Sequence, residues 1–181
     1  MARIPLLEEA DLAPEDRDVL ARPINLNKAL AHSPDGARAF GGLGSWIRWQ
    51  CKLDPRLREL AILQVGCLAR SEYEYSHHIK IGKDFGLSDD DIRAVQAETR
   101  GEPGGLGAVE TAVLKGAREM TEGPAMSEET FAFLERELGT ARAVDLVLVV
   151  AFYCGVVRLL ETLEVDVEPD YQPWLDAFPL D

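Results

Sequence analysis

The stretch "LARSEYEYSHHIKIGKDFG" (residues 68–86) places two glutamates, two tyrosines and two histidines within positions 72–78. Such a run is either a solvated helix face or an active site. On a wheel turning about 100° per residue, Ser71, Glu74, His78, Ile81 and Phe85 share one stripe about 80° wide. Glu72, Lys80 and Lys83 lie opposite. A stripe that continues into Ile81 and Phe85 is the one a helix buries. Glu74 and His78, neighbours at i and i+4, therefore aim inward. His77 stands about 100° away and is expected to be partly exposed. Gly86 suits the left-handed position that ends a helix.

A carboxylate buried beside an imidazole has chemical consequences. Desolvation alone would neutralise both, whereas together they hold an imidazolium–carboxylate pair or fix one ring tautomer. That is how an acid/base residue is tuned. Spacing alone leaves two readings, a catalytic pair and a structural pair satisfied at a helix junction, and favours the second. Glu59 shares a helix face with Arg56, which reads as an exposed ion pair of little energetic weight. Tyr73 and Tyr75 flank the stripe as rim residues with a hydroxyl to offer.

Moving outward, helical signals dominate and no period-2 strand stands out. Asp54-Pro55 is a cap followed by a first-turn proline, and "LAILQVGCLA" after it is apolar nearly all round, as a central helix is. Ser88 with Asp91 forms a capping box. Further helices are expected at about 34–52, 108–121, 128–138 and 141–164, with Ser127 and Thr140 as caps. "GGLGS" (41–45) weakens the first of these by about 1 kcal/mol per glycine relative to alanine, so tight packing or a kink should compensate. "GEPGGLG" (101–107) is a loop. The fold class is all-α. The chain reads as one domain over residues 1–181, with a core at about 23–168 and a proline-broken arm at 165–181. The arm's Tyr171, Trp174 and Phe178 should dock on the body or on a neighbouring subunit.

The 181 residues carry 19 Lys plus Arg against 32 Asp plus Glu, a formal charge of −13. That charge disfavours nucleic acid and anionic membranes as partners. Between Arg48 and Lys83 the balance reverses, with Arg48, Lys52, Arg56, Arg58, Arg70, Lys80 and Lys83 against Asp54, Glu59, Glu72 and Glu74. Such a window suits an anionic small molecule, although solvated helix faces are its ordinary reading. Cys51, Cys67 and Cys154 make no CxxC, so neither a disulfide framework nor a zinc site is expected. The N-terminus has no apolar segment of signal-peptide length. The apolar run between Asp145 and Arg158 is short for a bilayer and fits a buried helix. The expected setting is a reducing cytoplasm.

The spacing Glu59, eleven residues, Ser71, two residues, Glu74, three residues, His78 resembles the E-x11-C-x2-C-x3-H motif of alkylhydroperoxidase D, with Ser71 and Glu74 where that enzyme has cysteines. Together with "NLNKALAHSP", "RLRELAIL", "GLSDDDI" and "AFYCGVVRLLETLEV", the chain resembles the wider carboxymuconolactone decarboxylase family over about residues 23–168. The resemblance implies an all-α fold that forms homo-oligomers (a dimer, a trimer or a trimer of dimers) with a site near a subunit junction. It implies His78 as general acid/base, Glu74 as its orienting carboxylate and Glu59 as a relay. Ser71 and Tyr73 would contact substrate. No metal or organic cofactor is implied. The activity expected is lyase or decarboxylase chemistry on a small anionic, cyclic or lactone acid. A non-catalytic ligand-binding or stress-associated protein is the alternative. Hydroperoxide reduction would need a thiolate and a resolving partner, which positions 71 and 74 lack.

Overall fold

Asp54 and Pro55 open the helix against which the others are laid. The Asp54 carboxylate accepts from the backbone N–H groups of Arg56 and Leu57, satisfying two of the donors a helix start leaves orphaned. Pro55 supplies the preset φ of a first turn. The computed structural model describes residues 2–180, and among them regular structure is helical throughout. In chain order the α-helices are α1 (Asn25–Leu30), α2 (Pro34–Trp49), α3 (Pro55–Leu68), α4 (Glu72–Asp84), α5 (Asp89–Thr99), α6 (Ala108–Glu122), α7 (Glu128–Leu138), α8 (Thr140–Leu163) and α9 (Gln172–Ala177). Short 3-10 turns lie at Glu9–Asp11, Pro14–Leu20 and Pro169–Tyr171.

α3 is buried at every position from Leu57 to Cys67 because α4, α5, α6 and α8 all pack on it. Gly66 sets the approach of α4. A Cβ there would meet the Tyr75 backbone nitrogen at 3.3 Å, so the bare glycine lets α4 cross α3 closely at its first turn. α4 ends at Gly86, whose φ of 96° is open to glycine at little cost. The Ser88–Asp91 capping box then starts α5. Asp91 also pairs with Arg56 at 2.6 Å, and Glu110 of α6 takes the same guanidinium at 2.9 Å. Arg56 thus binds α5 and α6 to the start of α3, and the expected Arg56–Glu59 pair does not form.

Ser127 caps α7 as expected, accepting from Thr130 N–H. Thr140 does not cap α8. Gly139, at φ 82°, holds that position, and the Thr140 hydroxyl instead donates to Glu135. At 24 residues α8 has the length and apolar character of a membrane-crossing helix, more than the run between Asp145 and Arg158 suggested. Its inward residues, among them Leu146, Val149, Val150 and Val157, pack as core, against α3, α6 and α7.

The C-terminal arm folds back on its own chain. Tyr171, Leu175 and Phe178 are buried, and α9 lies on α4. In α2 the glycines do not mark tight packing: a Cβ at Gly41 or Gly42 would meet nothing within 4 Å. Gly42→Ala should therefore stabilise the fold by about 1 kcal/mol, raising Tm by about 2–4 °C in a chain of this size. A lowered Tm in a thermal melt would show that this face of α2 is covered in solution.

Candidate active site

α3 supplies two adjacent ions, Arg58 and Glu59, and α4 supplies Glu74 and His78 one turn apart. All four are almost completely buried. His78 Nδ1 lies 2.6 Å from Glu59 Oε2, and Nε2 lies 2.9 Å from Glu74 Oε1. The Glu74 contact is off the line of an N–H···O bond, and Glu74 Oε1 has no aligned donor, so charge is its main attraction. Arg58 Nε donates to the other oxygen of Glu59 at 2.9 Å. Arg58 is further held by the carbonyls of Ile47 and Arg48 and by the Phe85 ring, 4.5 Å below its guanidinium carbon. With every member ionised, the two cations balance the two carboxylates.

Burial by itself would discharge the His78 ring, but the Glu59 and Glu74 charges outweigh it and raise its pKa to about 9. Burial likewise opposes ionisation of Glu59, and the His78 and Arg58 charges overcome it, leaving Glu59 below the usual carboxylate range. The buried ring is therefore an imidazolium clamped between carboxylates. Neither ring nitrogen keeps a free lone pair for a metal ion, and no group of three or more His, Cys, Asp or Glu among the described residues is arranged to hold one.

Glu74 and His78 form part of the wall of a cavity of about 550 Å³, bounded by α1, α2, α4, α8 and the Pro14–Leu20 turn. This is the size of small-molecule sites, about 300–1,000 Å³. Phe40, Trp49 and Phe152 give it aromatic surface, and Arg48 gives it a cation. Tyr153, unmarked by any motif or spacing within the apolar run of α8, meets the His78 ring edge-on at 4.9 Å. Burial and the nearby Glu74 and Glu59 charges hold its phenol neutral, as a hydrogen-bond donor.

The remaining candidates fall elsewhere. Ser71 is fully buried, its Oγ is unpartnered, and it does not line the cavity. Tyr73 does line it, but its hydroxyl accepts from Leu26 N–H and donates to Glu168. His77 is buried rather than partly exposed. It stacks between Tyr73 and Tyr171, with ring centroids 4.1 and 3.5 Å away. Its Nδ1–H donates to the Tyr73 carbonyl, and Nε2 lies 3.1 Å from Glu168. Burial opposes ionisation of Glu168, yet His77 and the Asn25 N–H hold its pKa at about 2. The wheel missed this because the C-terminal arm, remote in sequence, covers that side of α4. None of the three thiols lines the cavity, and burial pushes the Cys67 thiol up to about 12.

The sequence profile described as the carboxymuconolactone decarboxylase family matches residues 34–119, which include α3, α4 and hence the whole ionic cluster. Solved structures extend the likeness. A peroxidase-related protein from Ralstonia eutropha JMP134, described as an alkylhydroperoxidase AhpD core, superposes with a TM-score of 0.81 at 21% identity over 96% of this chain and 95% of that one. The fold is therefore that of alkylhydroperoxidase D-like structures, and the carboxymuconolactone decarboxylase profile matches its central helices. The debrominase Bmp8 bound to 2,3,4-tribromopyrrole shares the fold, with a TM-score of 0.77 at 21% identity over 98% and 100% of the two chains. A peroxidase-related protein from Silicibacter sp. TM1040 does so at 0.75 and 18%, over 94% and 93%. Among curated protein sequences none matches significantly. These likenesses of fold extend well beyond the matched segment.

The clamped imidazolium makes stability pH-dependent. The folded pKa of about 9 exceeds the ordinary 6.5, so the His78 contribution is complete below pH 6.5 and is lost as pH rises through 9. Thermal melts should show wild type losing stability over that window relative to its value near pH 6. His78→Gln should lack this component. Parallel pH profiles for the two proteins would show that the ring is neutral in the fold.

Proposed function

We propose that the protein is an acid/base enzyme of the proton-transfer or decarboxylation type, acting on a small anionic cyclic or lactone acid. The observation that carries this reading is the presence of Glu74 and His78 in a cavity wall, backed by Glu59 and Arg58. Because both ring nitrogens of His78 face carboxylates, Glu74 is the group positioned to meet substrate and His78 supplies its proton from behind. When CO2 leaves a substrate that has its own electron sink, the electron pair of the broken C–C bond stays on the substrate as an enolate or carbanion. Glu74, a carboxylate at rest, takes the Nε2 proton of His78 and passes it on to that carbon. The ring is left neutral, with Nδ1–H still on Glu59, and solvent restores the lost proton. Tyr153 donates a hydrogen bond to the developing oxyanion. A thiol-based hydroperoxide reductase finds no support, since the cavity wall has no cysteine.

His78→Gln and Glu74→Gln should each slow turnover by about two to four orders of magnitude, the scale of a lost general acid/base. The double variant should be little slower than either, because groups that act as one unit are non-additive. Undiminished turnover in His78→Gln would remove the ring from the mechanism. A ligand-binding protein without turnover is the second reading, favoured by the charge balance of the cluster. It requires that a screen of small carbon acids find ligands but no product.

Self-association belongs to the same proposal on new grounds. The arm aromatics that suggested it dock on their own chain, but Trp49 is 69% exposed, with Leu43, Val144 and Leu148 also open to solvent. Light scattering at micromolar concentration should give a multiple of 20.0 kDa. A monomer would overturn the assignment.

A further inference from the structure

We infer that the cavity has a carboxylate-binding subsite, built on Arg48, and that it selects flat, unsaturated ring acids. The inference rests on the cavity being a ligand site and says what its wall recognises. Apart from Arg22, the other charged groups and histidine rings of the wall already have partners. Arg38 is taken by Asp16, Asp18 and Asp35. His78 and Glu74 answer each other, with Glu59 and Arg58 behind them, and His77 faces Glu168.

Arg48 differs. It is half-buried in the wall, and its backbone carbonyl, not its guanidinium, takes the bond from Arg58. Its side chain makes no described hydrogen bond or ion pair. A guanidinium in a partly dry wall is a strong fork for a carboxylate, with two parallel N–H donors. Arg22 is the other unmatched cation of the wall, but it is exposed, where water and salt screen it.

The walls set the rest of the ligand. Phe40 and Phe152 meet at 4.8 Å between ring centroids, and Phe152 meets Tyr153 edge-on at 5.4 Å. Such surfaces favour a flat π-system over a puckered ring of equal volume. Glu74, on the same wall, repels a carboxylate placed near it. The acid group therefore points to Arg48 as a handle, and another carbon of the ring faces Glu74.

The test is calorimetric titration at fixed low salt, with benzoate as probe, benzamide as its neutral isostere and cyclohexanecarboxylate as its saturated counterpart. Benzoate should bind best and benzamide worst. Arg48→Gln should weaken benzoate at least tenfold and leave benzamide unchanged, Arg48→Lys should restore part of the loss, and Arg22→Gln should change affinity by less than threefold. Unchanged melting curves would show that the Arg48 variants remain folded. Equal binding of benzoate and benzamide, undiminished benzoate binding in Arg48→Gln, or no binding up to about 10 mM benzoate would overturn the subsite. Glu74→Gln should keep or strengthen benzoate binding because a like charge is removed. Failure of the acid/base reading therefore appears as absent turnover with binding intact, and failure of the subsite as a binding result independent of turnover.

Discussion

The contact between His78 and Glu59, 2.6 Å across the α3–α4 packing, is the constraint around which the rest is arranged. Placing ions in a dry interior costs several kcal/mol each, and removing one partner of such a pair costs about 3–5 kcal/mol, a large share of a whole domain's stability. A lone His78–Glu59 pair would leave ring and carboxylate edges unanswered. Glu74 answers the second ring nitrogen, Arg58 answers the second oxygen of Glu59, and Phe85 with two α2 carbonyls answers Arg58. Each ion is tolerable only because the next one is present. That interdependence also fixes the geometry of α2, α3 and α4 relative to one another at the cavity.

Burial of α4 on nearly every side follows from this. Glu72, Lys80 and Asp84 remain exposed, while the neighbouring side, with Tyr73 and His77, is closed by the C-terminal arm. Glu168 takes the Asn25 backbone, the Tyr73 hydroxyl and the His77 ring together, and Tyr171 lies flat on His77. The arm is thus a second ionic and aromatic closure on the same helix, joining α1 to α4 at the edge of the cavity. Pro169 and Pro173, which break the chain into short turns, let the arm follow this curved path.

α2 has the opposite character. It carries a glycine-rich centre with open space around Gly41 and Gly42 and an exposed Trp49 at its end, yet it forms a wall of the cavity. A helix with few large side chains on its outer face contributes little packing there. What holds it is the Ser33–Trp49 segment's inner face, with Ile47 buried and the Ile47 and Arg48 carbonyls bound to Arg58. The cavity therefore lies between a rigidly anchored ionic wall and a more lightly packed aromatic one.

The local features were legible in the residues themselves. The Asp54 cap, the Ser88–Asp91 box, the Gly86 stop and the i, i+4 approach of Glu74 and His78 depend on neighbours within a turn, where chain geometry leaves few choices. The all-round apolar character of α3 likewise announced a central helix. Resemblance to a known motif added Glu59, which periodicity alone had paired with Arg56. What sequence could not decide was which distant groups meet. Arg58 was passed over because adjacent helix residues diverge, yet its long side chain folds back to Glu59 once α2 and α4 close around it. Tyr153 reaches His78 from 75 positions away in sequence, and His77 is buried only because the arm returns to it. Ser71, on the expected stripe, is sealed at a helix start rather than open to ligand. Short-range geometry is written in the spacing of residues, whereas burial, charge matching and the cavity are properties of helices already packed, and only the tertiary structure sets them.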